Sequence, residues 1–418
     1  MLVIVASVIP LRAPWRSHRV GAGEFAGGAA APKHRTRRPH LPQIDLMRII
    51  PMLAVVATHA TIFTQPAQGV GANTLLVLLH TSRLAFFFIT AFVLFYSYGS
   101  GSVRVLPFWR RRFPSIVLPY VAWTLIYWQL NRVLPWGGYA NSVPGALGQL
   151  ATDLGEGWFH LYFLLVTMQF YVIFPLVAWL VRRLQGHHLQ LLLVSAGLEV
   201  AWTVMVQYQW GALPGVLQTV FSQAQVELPS YLFFFIAGGV AAAHMEQITI
   251  WLRRHVWSLT LAALGLMLLG WGLYGINLFV LGETPETAAG VFQPAAIAMF
   301  CGSMLGLGLV AQRFADTRSH RGRFWRFFGW AGEISFGIYL SHMVGLQLAC
   351  LPIVQQGLML DRLPGPLLGV AVWVLAVGTA VGLTTLLRSV PFARVLTGRP
   401  RRPLRQIKAE RASGAVAS

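Results

Sequence analysis

Negative charge is scarce in this chain: 13 Asp and Glu stand against 32 Lys and Arg in 418 residues, and charged residues of both signs make up only 11%. A soluble domain carries about 25% charged residues. A water-soluble multidomain enzyme is therefore not expected, although the length would allow roughly three domains of about 150 residues. Cysteine is nearly absent. Cys301 and Cys350 both fall in apolar runs, too few for a disulfide framework or a metal site, and they read as small buried hydrophobes. No internal repeat, Walker A loop, GxGxxG, GxSxG or HExxH stands at a credible place, so ATP-driven transport within this chain is not expected.

What is abundant is apolar: 56% hydrophobic residues, 15 Trp, 26 Phe and a mean hydropathy of +0.61. About 20 apolar residues are needed to cross roughly 30 Å of hydrocarbon. Ten such runs occur, near 44–63, 74–98, 113–134, 158–181, 189–208, 228–245, 256–276, 288–311, 330–354 and 365–387. They predict an all-α integral membrane protein, a bundle of about ten transmembrane helices with both termini cytoplasmic. Residues 1–41 form a basic, poorly ordered cytoplasmic arm, 42–388 the membrane domain, and 389–418 a basic cytoplasmic tail. Met1–Pro10 is apolar, but Arg12, Arg16 and Arg19 follow it rather than precede it, which is the reverse of a secretory signal.

A pI near 11.2 would suit a nucleic-acid binder, and the placement of the charges argues against one. With the N-terminus inside, 28 of the 32 basic residues lie in cytoplasmic segments, which orients the bundle by the positive-inside rule. The partner is then the bilayer, no nucleic acid is expected, and assembly as a homo-oligomer is compatible with such a bundle.

Ionisable residues at membrane depth cost at least about 2.5–3.5 kcal/mol on insertion scales, so each is a functional candidate. Arg48 and His59 lie eleven residues apart in the first run. Eleven steps of about 100° return nearly to the starting direction, which puts both on one helix face about 16 Å apart. That spacing suits a substrate with an anionic head and a long thin arm. Cytosolic acyl-CoA fits, its phosphates near Arg48 and its thioester at His59, where the imidazole takes the proton of an acceptor hydroxyl. The plainer reading of His59 is a hydrogen-bonded packing histidine. Asp45 and Glu333 are alternative ion partners for Arg48. Arg83 and His80 lie one turn apart on the second run, His160 opens the fourth, Glu199 sits mid-fifth and His342 deep in the ninth. Glu199, His80 and His342 read equally well as packing residues and as site residues.

These residues sit in blocks that together resemble the acyltransferase 3 family, multipass bacterial membrane proteins that O-acylate sugars, envelope glycans or other hydroxylated molecules. The blocks are IDLMRIIPMLAVVATH around the Arg48-x10-His59 pair, FFFITAFVL at 86–94, RRRFPSIVLPYVAW at 110–123, HLYFLLVTMQFYVIFPL at 160–176 and ISFGIYLSH at 334–342. The usual Ser-Gly of the second block stands here as Thr90-Ala91, the second basic-stretch arginine as Ser115, and the Trp after His-Leu as Tyr162.

The resemblance implies that His59 and Arg48 are the essential catalytic pair. It also implies that Arg48 and Arg112 contact the donor; Arg111 and Arg83 are further candidates for donor binding. His80, His160, Tyr171, Glu333 and His342 are the candidates for the acceptor side. No metal and no permanently bound cofactor are implied; acyl-CoA, most simply acetyl-CoA, is the co-substrate, and a hydroxylated sugar, glycan or metabolite is the acceptor. The bacterial inner membrane is the implied location. The extracellular esterase-like extension of some members is not expected. The competing reading is a proton-coupled transporter or exporter of a polysaccharide or small solute, since intramembrane His and Arg also suit a carrier.

Overall fold

A computed structural model describes residues 41–99, 101–134, 142–317 and 322–402; the expected N-terminal arm and the end of the basic tail lie outside the described residues. Every regular element among them is helical. The helices that position the site are α1 (Pro42–Thr64), α2 (Val70–Leu79), α3 (Thr81–Tyr98), α4 (Val105–Arg112), α5 (Pro114–Val133), α6 (Val143–Thr152) and α7 (Tyr162–Arg183). They are followed by α8 (His188–Tyr208), α9 (Leu232–Ala243), α10 (Met245–Arg254), α11 (Val256–Phe279), α12 (Ala295–Asp316), α13 (Arg323–Ala349), α14 (Gly365–Leu387) and α15 (Ala393–Thr397).

Seven segments among the described residues are long and apolar enough to cross a membrane: α1, the continuous pair α2–α3, α6–α7, α8, α11, α12 and α14. An eighth is α9 with its 3-10 lead-in, joined to α10 across an 84° bend. The chain is thus a multipass α-helical membrane protein, with seven or eight of the ten expected spans meeting this measure of length and apolarity among the described residues. The two runs outside it are α5 and α13. At 20 and 27 residues they are long enough, but each is diluted by polar and aromatic groups. α5 carries Tyr120, Trp123, Tyr127, Gln129 and Asn131; α13 carries Glu333, Ser335, Ser341, His342 and Gln347. The physical reason lies in burial. Ser341 and His342 are 0% exposed, and a helix side that meets protein does not need the hydropathy that lipid demands of α11, where Trp257 and Phe279 project outward.

One continuous aromatic core locks the bundle. Phe170 of α7 and Phe235 of α9 stack with ring centroids 4.1 Å apart and planes 6° apart. Phe87 of α3 packs on Tyr231 at 4.3 Å and on Phe163 at 4.6 Å. Offset aromatic pairs of this kind add about 0.5–1.5 kcal/mol beyond their burial. They hold α3, α7 and α9 in register, and α3 packs against α1, which also packs against α13 and α14. The first part of the basic tail is built into this bundle. Trp123 Nε1 on α5 donates to the Leu396 carbonyl of α15 at 2.8 Å.

Candidate active site

On α1 the residues Arg48, Met52, Val55 and His59 recur at i, i+4, i+7 and i+11, so they share one stripe of the helix. Arg48 is within electrostatic reach of Tyr171 on α7, and the His59 ring lies 4.8 Å from that of Phe159, just before α7 begins.

A short irregular loop brings the second histidine. Asp153–Gly157 form a single π-turn and Phe159–Leu161 a 3-10 turn that runs into α7. Tyr120 Oη holds the loop from α5 by donating to the carbonyls of Leu154 at 2.9 Å and Asp153 at 3.2 Å. Trp158 stacks on Tyr127 with centroids 4.3 Å apart. The chain turns sharply enough at Gly157 to need a positive φ of 81°. A Cβ there would lie 2.5 Å from the Tyr162 Cα. Gly157→Ala is therefore expected to cost about 1–3 kcal/mol, seen as a lower melting temperature of the detergent-solubilised chain; an unchanged melt contradicts the tight turn.

The loop sets His160 among three rings. Its centroid is 4.6 Å from His342, 6.5 Å from His59 and 5.3 Å from Tyr339. His59 and His342 lie nearly parallel, 5.4 Å apart with an 18° angle between planes. The Tyr339 hydroxyl donates to the His160 backbone carbonyl, tying α13 to the loop. His342 Nδ1 lies 2.6 Å from the Tyr339 carbonyl. A carbonyl only accepts, so Nδ1 carries the hydrogen and Nε2 of the neutral ring is left as a lone pair. That Nε2, His59 Nδ1 and both His160 nitrogens are buried without a hydrogen-bond partner among the described residues. Leaving such groups unmade costs about 1–3 kcal/mol each, which makes this cluster the candidate site; the carbonyls of Leu340 and Tyr339 lie within reach of the His160 ring. The three rings do not form a metal-ligating group among the described residues.

The cluster borders a cavity of about 240 Å³ whose walls include His59, His80, Arg83, Phe159, His160 and Tyr339. His80 Nδ1 donates to the Ala289 carbonyl at 3.1 Å. Arg83 is buried; one Nη donates to the Val291 carbonyl, and the guanidinium sits between the rings of Phe292 at 5.3 Å and Tyr231 at 5.6 Å. Its Nε and Nη1 have no hydrogen-bond partner among the described residues. Glu199 is buried behind it, accepting from the Phe233 amide at 3.3 Å and interacting electrostatically with Arg83.

The other end of the stripe is cationic. Arg112 and Arg399 each lie close enough to act on the charge of Arg48, as do Asp45 and Tyr171. Arg112 ends α4, its guanidinium 5.1 Å from the centre of the Tyr98 ring and its Nε buried without a hydrogen-bond partner. Of the two partners expected for Arg48, Asp45 is the one beside it. Glu333 instead pairs with Arg388 at 3.3 Å and Arg402 at 3.6 Å.

The structure thus gathers His59, His80, Arg83, His160 and His342 at one end, and Arg48, Arg112 and Tyr171 at the other. Arg83 was expected with the donor arginines and stands in the histidine cavity. Arg111 is exposed and, like Glu333, joins neither group. Three site residues were missed from sequence. Tyr339 stands three residues before His342 and so shares its helix face, a signal that was there to be read. Phe159 and Arg399 lie outside any periodic pattern.

No curated protein and no solved structure matches the chain. A family model described as an acyltransferase domain, that of the acyltransferase 3 family, matches residues 41–388, which include every site residue described above except Arg399. The chain belongs to the acyltransferase 3 family and is a multipass membrane acyltransferase.

Proposed function

We propose that the protein transfers an acyl group, most simply acetyl, from cytosolic acyl-CoA to a hydroxyl of a sugar, envelope glycan or other hydroxylated acceptor in the bacterial inner membrane. The observation that carries this reading is the α1 stripe: a cation cluster at one end and, eleven residues on, a half-buried imidazole in the wall of a membrane-depth cavity. The positive-inside rule puts the Arg48 end in the cytoplasm, where acyl-CoA resides. Arg48 and Arg112 take the phosphates, for which guanidinium has the matching fork.

The chemistry needs one base. Neutral His59 takes the acceptor O–H proton as the oxygen attacks the thioester carbonyl. The C–O bond forms, the C–S bond of the tetrahedral intermediate breaks, and the CoA thiolate leaves with the proton returned by the imidazolium. Arg83 places a fixed positive charge on the same cavity, where developing oxyanion charge is stabilised most strongly in the absence of water. Met52, 2% exposed, and Val55 stand on the stripe between the two ends. The pantetheine arm must displace them, and an unbranched methionine yields more readily than a branched side chain.

The test is transfer itself. Membranes containing the chain, given acetyl-labelled acetyl-CoA, are expected to yield a hydroxylated product heavier by one acetyl group on mass spectrometry. Loss of an unmodified solute gradient, with no acyl product under any condition, would favour a carrier instead.

A further inference from the structure

The family match ends at residue 388, yet the chain that follows returns to the Arg48 end. α15 is held to α5 by the bond from Trp123 Nε1 to the Leu396 carbonyl, 2.8 Å. Gly398 then takes a left-handed φ of 64° and leaves no room for a side chain: a Cβ would lie 2.7 Å from the Phe336 ring, with the Ser115 carbonyl at 3.5 Å. Directly past that turn comes Arg399, half-buried. Beyond it the segment is fastened again. Arg401 Nε donates to the Ser389 carbonyl at 2.7 Å, and the Arg402 amide donates to the Arg388 carbonyl at 2.8 Å. Arg399 is therefore set between fixed points on both sides, and those points do not involve its own guanidinium.

It reaches toward the Arg48 end. Arg399 from the returning segment and Arg112 from α4 each lie close enough to Arg48 of α1 for their charge to act on it. Asp45 beside Arg48 answers only one of these positive charges, and cations brought together at a partly buried place repel one another unless further anions join them. Arg112 keeps a buried Nε without a hydrogen-bond partner among the described residues.

We propose that Arg399 is the third arginine of the donor-phosphate cradle, and that it selects a nucleotide thioester bearing several phosphates over a thioester on a single phosphodiester. The inference rests on the acyl-CoA reading above. CoA offers a diphosphate and a ribose phosphate, enough to engage all three guanidiniums, whereas the phosphopantetheine of a carrier protein offers one phosphate. Arg48 and Arg112 suffice for the latter; the third cation is accounted for only by the former.

The experiment is equilibrium binding of CoA and of 4′-phosphopantetheine to the full chain in nanodiscs. Arg399→Gln is expected to weaken CoA binding about tenfold or more and to flatten its salt dependence, with 4′-phosphopantetheine binding changed much less. Wild-type CoA affinity in Arg399→Gln overturns the proposal and leaves the acyl-CoA reading in place. A wild-type chain that binds no CoA overturns both. Should the glutamine variant not fold, Arg399→Lys serves: an ammonium cannot grip two phosphate oxygens as the fork does, so a several-fold loss of CoA affinity is expected, and unchanged affinity again overturns the proposal.

Discussion

His59→Ala is expected to reduce acyl transfer by about 10²–10⁴-fold, the usual contribution of a positioned general base, while the protein stays in the membrane at its normal level. The imidazole is half-buried and borders a cavity, so truncating it enlarges an existing space and leaves the aromatic core between α3, α7 and α9 untouched. Raising the donor concentration will not restore the rate, because the missing group acts on the acceptor proton. The check is the initial rate at saturating labelled donor together with the amount of folded protein. A variant that transfers at the wild-type rate removes His59 from the chemistry and returns it to the role of a packing residue. His160 and His342 surround the same ring, so His342→Ala offers a graded comparison in which the base remains but its stacked neighbour is lost.

Arg48→Ala is expected to fail differently. A charge-assisted hydrogen bond is worth about 1.5–3 kcal/mol, so losing the Arg48 contact raises the donor KM by about 10–150-fold. The rate at saturating donor is affected less, since Arg48 stands about 16 Å from the reacting carbonyl along the helix. Part of the loss in kcat/KM is therefore recovered by excess acyl-CoA. Donor titration separates the two residues: equal and unrescued losses in both variants would show that Arg48 acts on the reacting atoms or on folding rather than on the phosphates. The cluster also predicts an ionic-strength dependence, because the guanidiniums lie at the half-buried end of the bundle where salt screens them.

The α1 pair was legible in the sequence because helical geometry alone sets its facing: eleven residues return to the same side whatever surrounds the helix. The family blocks were legible for the same local reason. Which runs meet protein rather than lipid was not, since a run such as 113–134 reads as apolar either way; α5 and α13 hold Tyr120, Tyr127, Ser341 and His342, the groups that brace or line the candidate site. Which partner Arg48 takes was also undetermined. Asp45 lies on the same helix and needed no tertiary knowledge, whereas Glu333 meets Arg388 and Arg402 only because α14 and the returning tail close over α13. Arg83 illustrates the converse. Its burial depth was readable, but its placement among the histidines depends on Val291 and Phe292, more than 200 residues away in sequence. Arg399 sits in a segment of basic and small residues that reads as a solvated tail, and it takes its place from the turn at Gly398 packed on Phe336 and from the hydrogen bonds at Leu396, Arg401 and Arg402.

One measurement tests most directly the claim that a donor held at the Arg48 end delivers its acyl group to a hydroxyl activated by His59. In sealed membrane vesicles of known orientation, acetyl-labelled acetyl-CoA is supplied to one face at a time and label on the acceptor is counted. Label is expected only when the donor meets the face bearing Arg48, Arg112 and Arg399, and it is expected to vanish in His59→Ala vesicles of the same orientation. Equal labelling from either face, or labelling that persists without His59, contradicts it.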